Sequence, residues 1–284
     1  MRMTREVSAA HAGSVQVGDR TVHRLGLGTN RLTDTEPGRA LLRRAVELGV
    51  NFIDTADVYQ SNASERTIGR TLGGGARGVL VATKGGMVRT PDGLGADGRP
   101  EHLRQAVEGS LRRLGTECIE LYQLHRVDPV VPIEVSVGAL KEMQAAGRIR
   151  RIGLSNVTVE ELERARRVAT IVSVQNRYNL LEREHEKVLE YCHRHSIVFI
   201  PWTPLHRGNV TPAKTLSEMA VHYGVTPHQL ALHWLLRRSP VVLPIPGTLS
   251  LVHLEENLAA ADIELSEGDF LRLSRPPAPA ITEG

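Results

Sequence analysis

The chain has 284 residues, 41% of them hydrophobic and 24% charged, enough to bury a large core as one large domain or two small ones. Its formal charge of +3 comes from arginines scattered along helical segments, and aromatic residues are 4% of the total, so neither a basic run nor stacking platforms for bases mark a nucleic-acid partner. No apolar run approaches the roughly 20 residues that span a bilayer, and "MRMTREVSAAHAG" lacks the apolar centre of a signal peptide, so a cytoplasmic protein away from membranes is expected.

In chain order, residues 1–13 carry no structural pattern and are expected to be weakly ordered, as are residues 275–284. "SVQVGDRTVHRL" alternates on both sides of Gly18-Asp19 and predicts a β-hairpin with a two-residue turn. Eight short apolar runs follow: "RLGLGT", "VNFIDTA", "GVLVATK", "CIELYQLH", "RIGLSN", "IVSVQN", "IVFIPWTPL" and "VVLPIPG". Between them apolar residues recur at helical spacing, as in Leu103, Val107, Leu111 and Leu114, or Leu162, Ala165 and Val168. Thr158 before "VEEL" reads as an N-cap, while Gly49 and Gly147 stand where helices should stop.

Strands without polar alternation are buried on both faces, as in a parallel sheet covered by helices. Eight strand–helix units match a closed (β/α)₈ TIM barrel, α/β in class, with the hairpin capping its bottom. No composition shift or linker divides the chain, so residues 1–284 are read as one barrel domain. The glycine-rich "TKGGMVRTPDGLGADGRP" is expected to be a mobile loop at the C-terminal face. Cys118 and Cys192 have no metal-ligand spacing and are expected to be reduced and buried, and no metal site is predicted.

In such a barrel chemistry sits at the C-terminal strand ends. The polar residues there are Asn30, then Asp54, Asp57 and Tyr59, then Lys84, His125, Ser155, Asn156, Gln175 and Asn176. Lys84 follows four apolar residues, so its ammonium needs a carboxylate, and Asp54 on the next strand end is the candidate. A lysine beside Tyr59 favours the phenolate and is expected to lower the tyrosine pKa, making Tyr59 a general acid. His125 is placed to hydrogen-bond the oxygen of a carbonyl held beside Tyr59. Asp57 reads as a helix or loop cap, with a contact to substrate as the alternative.

Asp54, Tyr59, Lys84 and His125 resemble, in order and strand context, the catalytic tetrad of the aldo-keto reductases, and "FIDTADVY", "GLSN", "VQNRYN" and "PIPGT" with "HLEENLAA" are similar to that family's signatures. The resemblance covers residues 14 to 274. "GLSNVT", "VQNRYNL" and "LPIPGT" are most similar to the bacterial branch that includes pyridoxal reductases, the pyridoxine 4-dehydrogenases.

The resemblance implies a nicotinamide cofactor, NADPH rather than NADH, bound without a Rossmann unit; no G-x-G-x-x-G stands in the right context. It implies that Ser155, Asn156 and Gln175 hold the carboxamide and that Trp202 stacks on the ring. It also implies that Gly28, Thr29, Asn30, Thr203, Leu205, Gly247 and Thr248 line the cofactor, with Glu256 and Asn257 at the adenine. His253 departs from the arginine common in NADPH-dependent relatives. The implied protein is a monomeric reductase of a small carbonyl compound, pyridoxal being one candidate. The alternative is a cofactor-binding regulatory protein of the same fold with little turnover.

Overall fold

The computed structural model describes residues 6–73, 78–90, 93–209 and 214–275. The outer parts of both expected tails, two residues of the glycine-rich loop and residues 210–213 lie outside that set. Strands β1 (Ser14–Val17) and β2 (Arg20–His23) form the expected hairpin, with Val17 opposite Arg20 and Gly18 at φ +65° in the turn. Then come β3 (Leu27–Gly28), α1 (Glu36–Glu47), β4 (Phe52–Asp54), α2 (Ala63–Leu72) and β5 (Leu80–Gly85). A second hairpin, β6 (Met87–Thr90) with β7 (Gly93–Ala96), precedes α3 (Pro100–Leu114), β8 (Leu121–Leu124), α4 (Ile133–Ala145), β9 (Ile152–Ser155) and α5 (Val159–Arg166). The chain continues with β10 (Ile171–Arg177), α6 (Glu186–Arg194), β11 (Val198–Trp202), α7 (Lys214–Tyr223), α8 (Pro227–Arg238), α9 (Leu251–Ala259) and α10 (Glu267–Ser274).

Seven strands form one parallel sheet in the order β3-β4-β5-β8-β9-β10-β11. The expected eighth strand is reduced to a single parallel bridge, Val242 with Phe199, because Pro244 and Pro246 have no N–H to donate. Their carbonyls still close the ring, accepting from Gly26 N at 3.0 Å and Gly28 N at 3.4 Å. The seam is tight: a Cβ at Gly28 would stand 2.6 Å from the Ile245 carbonyl oxygen, so only glycine fits there.

Two cores result. Inside the barrel, Phe52, Leu80, Ala82, Leu121, Val198, Ile200 and Leu243 pack on Val17 and Val22, so the first hairpin plugs the bottom as predicted. The larger core lies between sheet and helices, where Leu41, Leu103, Val107, Leu140 and Leu162 present one face of each helix. Thr158 caps α5 in a reciprocal capping box with Glu161, and Gly49 and Gly147 take φ +84° and +73° just past their helices.

Three expectations are corrected. Within the expected loop, Met87–Thr90 pair antiparallel with Gly93–Ala96 and Met87 is buried; the glycines there hide the alternation that marks a strand. Ala9–Ala12 form a 3₁₀ turn whose Ala9 and Ala12 are buried, with Ala9 N donating to Leu48 O at 2.9 Å, so this part of the N-terminal segment is held. Cys118 is half-buried; Cys192 is buried, and burial pushes its thiol up to about 12. Among the described residues no helix is long and apolar enough to cross a membrane.

Candidate active site

On β4 and β5 the inward side is apolar at the bottom and polar at the top. On β5 Leu80 and Ala82 join the inner core below Lys84; on β4 Phe52 lies below Asp54. The period of two therefore carries the polar side chains into one mouth.

Lys84 is fully buried and all three of its N–H groups are engaged. Nζ donates to Asp54 Oδ2 at 2.8 Å, to Thr55 O at 2.8 Å and to Tyr59 Oη at 3.2 Å. Asp54 receives two amides on its other oxygen, from Gln175 Nε2 at 2.8 Å and Gln123 Nε2 at 3.4 Å. His125 stands edge-on to Tyr59, the ring centroids 5.9 Å apart.

The electrostatics differ in one respect from the sequence reading. Tyr59 is pushed above its ordinary pKa, not below: burial is the largest influence and outweighs the lowering effect of the Lys84 charge. Burial against so little water was not legible from spacing. Lys84 is raised; burial opposes the charge, while Asp54 and Tyr59 favour it and win. His125 falls well below the usual histidine value, first by burial and then by the charges of Lys84 and Arg126, so its imidazole is neutral at physiological pH. Its Nδ1 is buried and has no partner among the described residues.

Asp57 is not a simple cap. Its side chain is buried, Oδ1 has no partner among the described residues, and its carboxyl is pushed up to about 7 by burial and then by Glu65. After Tyr59 the backbone takes three left-handed residues in succession, Gln60, Ser61 and Asn62 at φ 47°, 53° and 69°. This turn is held by Asn62 Nδ2 on Asp57 O and by Gln60 Nε2 on Asn30 O at 3.0 Å. Strain of this kind survives only where the surroundings fix it.

The expected cofactor residues divide into two groups. Ser155, Asn156 and Trp202 lie together beside His125: Trp202 Nε1 donates to Asn156 Oδ1 at 3.0 Å, and Asn156 Nδ2 donates to Ser155 Oγ at 2.8 Å and His125 O at 3.1 Å. Gly28, Asn30 and Gly247 meet at the seam, where a Cβ on Gly247 would stand 3.0 Å from Gly28 O and 3.6 Å from Asn30 Oδ1. Asn156, at φ 58°, thus links Ser155 and Trp202 through its amide. With Nε2 on Asp54, Gln175 keeps Oε1 as the atom able to accept from a carboxamide.

The Thr29 hydroxyl is buried between Asp54 O and Ser64 Oγ, both at 2.8 Å. Thr203 takes φ 51° with Oγ1 buried and unpartnered among the described residues, and Leu205 packs on the outer core. On α9, Ser250 caps the first turn by accepting from His253 N at 3.3 Å, and Thr248 Oγ1 accepts from Ser250 N at 3.0 Å. His253 is exposed, Asn257 is buried, and Glu256 O accepts from Gln229 Nε2 at 3.1 Å. The half-buried indole, the Ser155 hydroxyl and the capped helix start suit a ring, an amide and a phosphate in turn.

The sequence profile of the aldo/keto reductase family matches residues 24–275. The chain belongs to the aldo/keto reductase family. It is 45% identical over 278 residues to an uncharacterized oxidoreductase of Schizosaccharomyces pombe, covering 94% of this chain and 90% of that protein. It is 38% identical to the pyridoxine 4-dehydrogenase of Escherichia coli, covering 88% and 93% of the two. Among solved structures, an aldo/keto reductase from Klebsiella pneumoniae in complex with NADP and acetate superposes with a TM-score of 0.81 at 29% identity, over 94% of this chain and 96% of that one. The branch resemblance and the TIM-barrel fold read from the sequence agree with these relatives.

Sequence reasoning missed one residue of this aldo/keto reductase site, Gln123. Its signal was present: an amide inside the apolar run "IELYQLH", the same kind of departure that singled out Lys84.

Proposed function

We propose that this aldo/keto reductase uses NADPH to reduce an aldehyde or ketone to an alcohol, with Tyr59 giving its hydroxyl proton to the carbonyl oxygen. One observation carries the reading: a fully buried Lys84 that joins Asp54 to the Tyr59 hydroxyl. When bound, the nicotinamide supplies the hydride that reaches the carbonyl carbon. Tyr59, raised by burial, holds its proton at neutral pH and so starts as the acid. Lys84 stabilises the phenolate left behind. Neutral His125 has no imidazolium proton to give; it orients the carbonyl by hydrogen bonding. Ser155 and Gln175 would hold the carboxamide, Trp202 the ring face, and the start of α9 the 2′-phosphate.

The substrate reading is pyridoxal, supported by the pyridoxine 4-dehydrogenase relative. The reaction is placed in the cytoplasm, where two unpaired cysteines are the ordinary state. The chain is taken as a monomeric single barrel. The test is NADPH absorbance with pyridoxal, aromatic aldehydes and keto sugars. Steady turnover with pyridoxal among the best substrates is expected; one turnover followed by arrest would instead favour the regulatory alternative.

A further inference from the structure

Gln123 lies on β8 inside the barrel, in register with Lys84 of β5 and Gly153 of β9, one layer above the apolar inner core that Leu121 and Ala82 join. It is fully buried, and its Oε1 has no partner among the described residues. An apolar side chain of the same length would fill the place without an unpaired acceptor, so packing does not account for the amide. Among the described residues its side chain hydrogen-bonds Asp54: Nε2 lies 3.4 Å from Oδ1, the oxygen that also takes Gln175 Nε2 at 2.8 Å.

We propose that Gln123 is a positioning residue of the reaction: with Gln175 it pins the Asp54 carboxylate so that Oδ2 alone meets Lys84, which leaves one ammonium N–H for Tyr59. The inference rests on the reading of Tyr59 as the acid. Lys84 has three N–H groups and three acceptors, and its contact with Tyr59 is the longest at 3.2 Å. A carboxylate free to turn would offer Lys84 a second oxygen, and the bond given up would be the longest one. The amides also draw charge toward Oδ1, which weakens the repulsion of Asp54 on a phenolate at Tyr59.

The groups acting on the Tyr59 hydroxyl are Lys84 from β5, Asp54 from β4 and Asp57 from the turn after it, with the neutral His125 ring facing it from the end of β8. Of these Gln123 contacts Asp54 by hydrogen bond. Loss of its amide therefore makes the phenolate harder to form and moves the tyrosine limb of the pH profile upward.

The experiment compares Gln123→Leu and Gln123→Met with wild type in alcohol oxidation by NADP⁺, which needs the phenolate, across pH 6 to 11. Tm should hold or rise, KM for NADP⁺ should stay within about twofold, and the rising limb should move up by about one unit, a roughly tenfold loss of rate on its lower side. A folded variant with the wild-type limb overturns the proposal, and so does loss of folding in both variants, which would make the amide part of the scaffold. Tyr59→Phe, run alongside, separates the two readings. If it keeps the limb, the assignment of Tyr59 fails; if it loses the limb while the Gln123 variants keep theirs, only the present inference fails.

Discussion

Lys84 Nζ stands 2.8 Å from Asp54 Oδ2 with both side chains closed to solvent. Removing one member of such a pair leaves the other charged and buried, which costs about 3–5 kcal/mol. Lys84→Met should therefore lower stability by that order in urea denaturation as well as slow the reaction. The double variant Lys84→Met with Asp54→Leu should recover most of the stability and none of the activity. A single variant as stable as wild type would remove the pair from the account.

Asp57 supplies a stability signature with a definite sign. Its carboxyl rises from 3.8 to about 7, so between those values the folded protein keeps a proton that the unfolded chain has released. Stability from this group falls as pH rises through that window and levels off above it, by about 4 kcal/mol for three units. Asp57→Asn should be the more stable protein at pH 8, by up to that amount, with the gap closing toward pH 4. Parallel curves for the two proteins in urea at both pH values would contradict the assignment.

His253, exposed on the first turn of α9, is proposed to face the 2′-phosphate of NADPH. An arginine keeps its charge at every working pH and grips phosphate with two hydrogen bonds. His253→Arg should tighten NADPH by about 2 kcal/mol, the scale of a charge-assisted bond, and leave NADH unchanged. Fluorescence titration of both cofactors checks it, and equal shifts for the two would move His253 off the phosphate.

Much of the site was legible because polar groups at buried strand ends need partners. Lys84 after "VLVAT" demanded a carboxylate, and Asp54 supplies it. The same logic reaches Gln123, but an amide carries less charge and draws less notice. What spacing could not show was the depth of the mouth, which reverses the expected direction of the Tyr59 shift. Nor could it show Asn156 turned to Trp202 and Ser155, because side-chain direction there follows from a left-handed backbone.

In the fold, apolar runs located seven strands, and helix stops at Gly49 and Gly147 held. The eighth run failed as a regular strand because each proline removes a donor, leaving carbonyls to close the ring. The antiparallel pairing of Met87–Thr90 with Gly93–Ala96 was hidden by its own glycines.

The central claim is that Tyr59 gives the proton and Lys84 holds the charge left behind. Single-turnover oxidation of bound NADPH by an aldehyde, in Tyr59→Phe against wild type, tests it most directly. The account predicts a rate about 10²- to 10⁴-fold lower with NADPH affinity within about twofold. A Tyr59→Phe enzyme that bound NADPH and reduced the aldehyde at the wild-type rate would contradict it.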